Sequence, residues 1–221
     1  MTSRAPLRSA AAAAAVRDQV LRVLDGAHPA PIVQAGHPVL RAMAQPYDGQ
    51  LSVEELTALL DLMRTTMREA PGVGLAAPQI GISLAIAVVE DPGSLDPDLA
   101  AARERLPLRY RVLVNPRYEA EGAERVAFYE GCLSVHDWQA VVARPRKVRL
   151  TGSDERGAPL DEELTGWQAR IVQHETDHLN GILYVDRAQI RSLATGDNLA
   201  ALWAAEGRPT TAARVLGFDL D

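Results

Sequence analysis

Along residues 51–70, LSVEELTALLDLMRTTMREA, the apolar positions Leu56, Leu59, Leu60, Met63 and Met67 recur every three or four residues, with charges between them. That period predicts an amphipathic helix, and Ser52 followed three residues later by Glu55 supplies a capping box to start it. Nearer the N-terminus, Val16, Val20, Val23 and Leu24 share a face in VRDQVLRVLDG, which predicts a helix ending near Gly26. The alanines Ala10 to Ala15 run straight into it. Arg4 and Arg8 therefore read as the flank of a helix and not as the basic end of a cleaved signal peptide.

The period then changes. PGVGLAAPQIG (71–81) is rich in Gly and Pro and leads into ISLAIAVVE, a short apolar run of the kind that forms a buried strand. Residues 91–108, with three prolines and many charges, predict a surface loop with room for one helical turn. YRVLVNPRYE (110–119), QAVVARP (139–145) and KVRLTGSDERGAPL (147–160) show valine alternation and turn signals, and predict an antiparallel sheet with hairpins. LTGWQARIVQHETDHLNG (164–181) returns to helical spacing, with Leu164, Trp167, Ile171, His174 and His178 on one stripe and Gly181 closing it. Helices flanking a block of strands indicate an α+β fold.

Composition narrows the classes. A chain of 221 residues, 47% apolar, can bury a core, and a net charge of -6 does not favour DNA or an anionic membrane. No stretch approaches the roughly 18 to 20 apolar residues of a membrane span. Cys132 is the only cysteine, so no intramolecular disulfide can form and a reducing cytoplasm is the expected compartment.

The chemistry concentrates in QHETDH (173–178). His174 and His178 lie one helical turn apart on an apolar stripe, where two imidazoles without partners are costly to bury and an ion between them is the better account. Glu175 between them can carry a proton. A catalytic site of this kind needs a third ligand. After His178 the chain has no histidine and one isolated glutamate, Glu206. Upstream, EGCLS holds Cys132; a lone cysteine is often a small buried hydrophobe, but beside this helix it is the preferred third ligand.

GVGLAAPQ (72–79), EGCLS (130–134) and QHETDH, in this order and spacing, resemble the peptide deformylases, and VQAGHPVLRAMAQP and LNGILYVDR extend the resemblance over most of residues 32–187. It implies antiparallel sheets packed around a central metal-binding helix. The implied reaction is metal-dependent hydrolysis of the formyl group from N-formylmethionyl nascent peptides. The resemblance makes Cys132, His174 and His178 the metal ligands, Glu175 the general acid and base, and the Gln79 amide and Leu133 backbone N–H the donors to the oxyanion. It gives Gly72 and Gly74 to a backbone that pairs with the peptide, and Val73, Phe128, Trp167 and Ile171 to the methionine pocket. Glu130, Asp177 and Arg144 would orient these groups. The expected ion is Fe2+, with Zn2+, Ni2+ or Co2+ suited to the same donors.

The sequence departs from the family at His136, Asp137, Trp138 and Gln139, where a proline or glycine and then a basic residue are usual, and at Trp167, often a smaller aliphatic. These changes bear on substrate preference, and leave room for another small N-acyl substrate or a metal-stabilised binding role. The expected organisation is an N-terminal helical extension (1–28), a catalytic domain (29–190) and a C-terminal tail with a helix (191–221). That tail sets Arg191, Arg208 and Arg214 against four carboxylates, which gives no support to a transient ribosome contact.

Overall fold

The computed structural model describes residues 10–93 and 96–220; Arg4 and Arg8 lie outside them. Helix α1 (Ala10–Leu24) lies against α2 (Val53–Glu69), where Val16 and Val20 enter a core with Leu59 and Met63. The Ser52 and Glu55 capping box forms as expected, and Glu55 also accepts from Arg17 of α1 at 3.0 Å. One carboxylate thus starts α2 and ties α1 to it.

Beyond α2 come β1 (Gly74–Ala76), β2 (Ile86–Asp91), β3 (Leu108–Ala120), β4 (Arg125–Cys132), β5 (Val135–Pro145), β6 (Lys147–Ser153) and β7 (Pro159–Thr165). Helix α4 (Gly166–Leu179) follows, then β8 (Ala194–Thr195), α5 (Gly196–Leu202) and α6 (Thr210–Leu216). The strands make two antiparallel sheets, one ordered β1-β2-β3-β6-β7 and one β4-β5-β8. The larger sheet explains the unbroken apolar run of β2. Ile86 and Val88 face the α2 core, while Ala87 and Val89 face a second core containing Ala169, Val172 and Leu179 of α4. A strand covered on both faces has no polar side to alternate with. The result is α+β, with α4 packed against the larger sheet and bonded to the smaller one.

Two expectations need correction. Residues 125–132 form a full strand that the alternation did not announce, because Glu130 is buried with an apolar face around it. The segment read as a loop with one turn contains a helix, α3 (Pro97–Arg103). Asp96 caps it by accepting from the N–H groups of Asp98 and Leu99, and Pro97 presets its first turn. No helix among the described residues is long and apolar enough to cross a membrane.

Candidate active site

Helix α4 brings both histidines to one side. Gly181, at φ 73°, ends the helix in the left-handed conformation glycine favours, and its N–H meets the His178 carbonyl at 3.1 Å. Cys132 arrives from the other sheet, at the corner where β4 turns into β5. Gln34 clamps that corner: its Nε2 donates to the Leu133 carbonyl at 3.0 Å and its Oε1 accepts from the His136 N–H at 3.2 Å. The donor atoms of Cys132, His174 and His178 lie within 4.8 Å of one another, and His178 Nε2 is 3.2 Å from Cys132 Sγ.

Tautomer and orientation are set from behind. Glu130 faces His174 Nδ1 at 3.1 Å, which leaves Nε2 for the ligand group. The same carboxylate meets Arg144 Nε at 2.6 Å and Arg170 Nη1, and Arg144 Nη1 reaches on to Asp177 at 2.8 Å. Asp177 also accepts from the Tyr118 hydroxyl at 2.9 Å and Arg187 Nε at 3.0 Å. Burial opposes charge on Glu130, but Arg144 and Arg170 outweigh it and hold the carboxyl well below the usual range. Burial keeps His178 well below its usual range.

Glu175 is buried beside this group, and its Oε2 has no hydrogen-bond partner among the described residues. Burial pushes its carboxyl up to about 7, against the pull of His174 and Arg144. A group that must take and return a proton near neutrality needs such a value. Gly74 makes room for it: a Cβ at that position would lie 2.5 Å from Glu175 Cδ and 2.7 Å from Cγ. At Gly72 a Cβ would stand 2.9 Å from the Leu133 side chain.

Gln79 is oriented by its own turn. Its Oε1 accepts from the Ala76 N–H at 2.8 Å, so Nε2 turns to Ser134 Oγ at 3.3 Å and Cys132 Sγ at 3.6 Å. Gly72, Gly74, Gln79, Cys132, Leu133, His174 and Glu175 border one cleft of about 610 Å³. Val73, Phe128, Trp167 and Ile171 line it, with Phe128 and Trp167 edge to face at 5.8 Å. His136 is exposed at the rim, apart from the Cys and His group.

The donors fit a divalent cation. One sulfur and two imidazole nitrogens converge, one nitrogen has its proton fixed on the far side, and a buried carboxylate oxygen beside them is unpartnered. Sequence reasoning passed over Arg170 and Gln34. Arg170 lies one turn before His174 on the apolar stripe, and a cation in that place signals a buried partner. Gln34 gives no such signal, since what it holds is 99 residues away.

Such a site on an α+β fold defines a metal-dependent hydrolase. The chain belongs to the peptide deformylase family: the polypeptide deformylase model matches residues 29–193. Peptide deformylase 3 of Streptomyces avermitilis is 57% identical over 92% of this chain and 90% of its own length. Peptide deformylase of Bifidobacterium adolescentis is 53% identical over 86% of the chain and 87% of its own. Among solved structures, a Met-Ala-Ser-bound class I type b peptide deformylase from Acinetobacter baumannii is similar with TM-score 0.65 and 36% identity. It is matched over 97% of its length by 72% of this chain. An actinonin complex from Synechococcus elongatus gives TM-score 0.62 and 31% identity, over 88% of this chain and 89% of that one.

Proposed function

We propose that Cys132, His174 and His178 hold the cation, and that Glu175 and Gln79 act around it to hydrolyse the formyl amide of N-formylmethionyl nascent peptides in the cytoplasm. A divalent ion bound there supplies Lewis acidity for the formyl oxygen and the attacking water. Glu175 takes a proton from that water and returns it to the departing amine nitrogen as the C–N bond breaks, leaving formate and a free N-terminus. Gln79 Nε2 and the Leu133 N–H donate to the formyl oxygen as it gains charge; the Ala76 bond to Oε1 keeps that amide from turning away. Glu130 holds His174 in register, and Arg144, bonded to both Glu130 and Asp177, holds Glu130. Gly72 and Gly74 leave a bare backbone edge for the peptide, and the methionine side chain enters the space between Val73, Phe128, Trp167 and Ile171.

The ion we assign is Fe2+, on family resemblance; Zn2+, Ni2+ and Co2+ suit the same donors. An iron and thiolate site open to solvent loses activity in air, and full activity of iron-loaded protein after long aerobic storage would count against that ion. The observation that carries the reading is the unpartnered Glu175 oxygen beside three converging donors. Its test is formate release from formyl-Met-Ala-Ser by anaerobically iron-loaded protein, with the acetyl peptide as control. Rapid, formyl-selective release supports it; no release from a fully loaded site refutes it.

A further inference from the structure

The far wall of the cleft comes from parts of the chain remote from the catalytic group. Leu99 and Arg103 belong to α3, and Trp203 and Glu206 to the segment joining α5 and α6. The two segments close on one another, since a Cβ at Gly207 would collide with Ala102 of α3. The C-terminal half of this wall lies beyond residue 193, where the family match ends.

Arg103 is the unexplained group in it. Its Nε is fully buried without a partner, and its guanidinium has no hydrogen bond or ion pair among the described residues. It lies 5.2 Å over the Trp167 ring, with Arg105 5.7 Å from the same ring. Burial and Arg105 both act against its charge. Glu206, Asp137 and Glu104 have partners of their own. Glu206 accepts from the Thr211 N–H at 3.0 Å, Asp137 from the Gly196 N–H at 3.3 Å, and Glu104 from Arg146 Nε at 2.9 Å. Its terminal nitrogens are not among the buried unpartnered atoms, and the side chain lines the cleft, so a ligand carboxylate meets a cation that no protein acceptor among the described residues occupies.

Chain geometry indicates which part of a peptide meets it. Trp167 precedes His174 by seven residues of helix, about 10 Å along the axis, so Arg103 stands well away from the reacting bond. In an extended peptide, side chains one and three share a face, about 7 Å apart. With the first side chain in the pocket that Val73, Phe128, Trp167 and Ile171 line, the third emerges on the same face, toward α3. Resting on the deformylase reading above, we propose that Arg103 is a specificity-determining residue that recognises a carboxylate on the third residue of the substrate peptide.

The test compares C-terminally amidated formyl-Met-Ala-Asp, formyl-Met-Ala-Asn and formyl-Met-Asp-Ala, so that no terminal carboxylate competes. For the iron-loaded wild type, kcat/KM for Asp over Asn at the third residue should be about tenfold, carried mainly by KM and reduced by salt. Arg103→Met should bring the ratio to about one, and Arg103→Lys should keep part of it; a ratio taken within each variant cancels any general loss. Equal use of Asp and Asn by the wild type, a ratio that survives Arg103→Met, or a preference at the second residue instead overturns the assignment. Silence of the loaded wild type on all three peptides would sink the deformylase reading itself, and this proposal with it.

Discussion

In the proposed mechanism Glu175, buried with one oxygen unpartnered among the described residues, is the group that moves the proton. Glu175→Gln keeps the shape and the metal donors but removes the proton acceptor, so turnover should fall by about 10² to 10⁴ with metal content unchanged. Metal analysis beside formate release checks both halves, and near-wild-type turnover removes Glu175 from the mechanism. Gly74→Ala attacks the same group from outside. Its methyl needs the volume that Glu175 Cδ and Cγ occupy, so the variant should bind metal yet lose at least tenfold in kcat. At this scale the sequence was most readable where spacing carries chemistry: His174, Glu175 and His178 sit within one turn of helix. Gly74 was read as an edge for substrate, and its second task as the space for Glu175 was hidden, because that contact joins positions 101 residues apart. Arg103 was hidden for a related reason, since a missing partner has no sequence signature.

The elements with regular period were legible, and those whose burial breaks the period were not. Helix α2 announced itself by its apolar stripe and its cap. Removing that cap in Ser52→Ala leaves the Glu55 N–H without its acceptor and should cost about 1 kcal/mol, read as a lower midpoint in chemical denaturation. An unchanged midpoint would mean that packing of α1 over α2 alone fixes this end. Strand β4 escaped notice because Glu130, charged yet buried against Arg144 and Arg170, interrupts its apolar face. Helix α3 was half seen; its prolines suggested a loop, yet Pro97 sits where a helix tolerates one, just after its Asp96 cap.

Over the whole molecule, much of the surface charge is paired. Hydrogen bonds from Arg17, Arg68 and Arg146 hold Glu55, Glu90 and Glu104 below their usual range. A carboxylate depressed by folding contributes stability above its unfolded pKa, about 4.3, and loses it as pH falls through the folded value. These pairs should therefore make the thermal midpoint decline as pH falls below about pH 4, less steeply in Arg68→Gln. A decline already complete above pH 5 would assign acid sensitivity to other groups. The fold class was readable from the order of helices and strands. The sheet order was not, since β3 pairs with β6 across the whole β4 and β5 hairpin and no local pattern encodes that crossover.

The corner that carries Cys132 has a consequence in time. It is held by Gln34, made early, and faces His178, made much later, while β8 pairs with β5 only when residues 194–195 exist. A chain leaving the ribosome from its N-terminus has Cys132 exposed as a lone thiol for the interval before α4 emerges. The protein is thus most open to oxidation while being made, and its yield should depend on the redox state of its own synthesis before it depends on that of its assay.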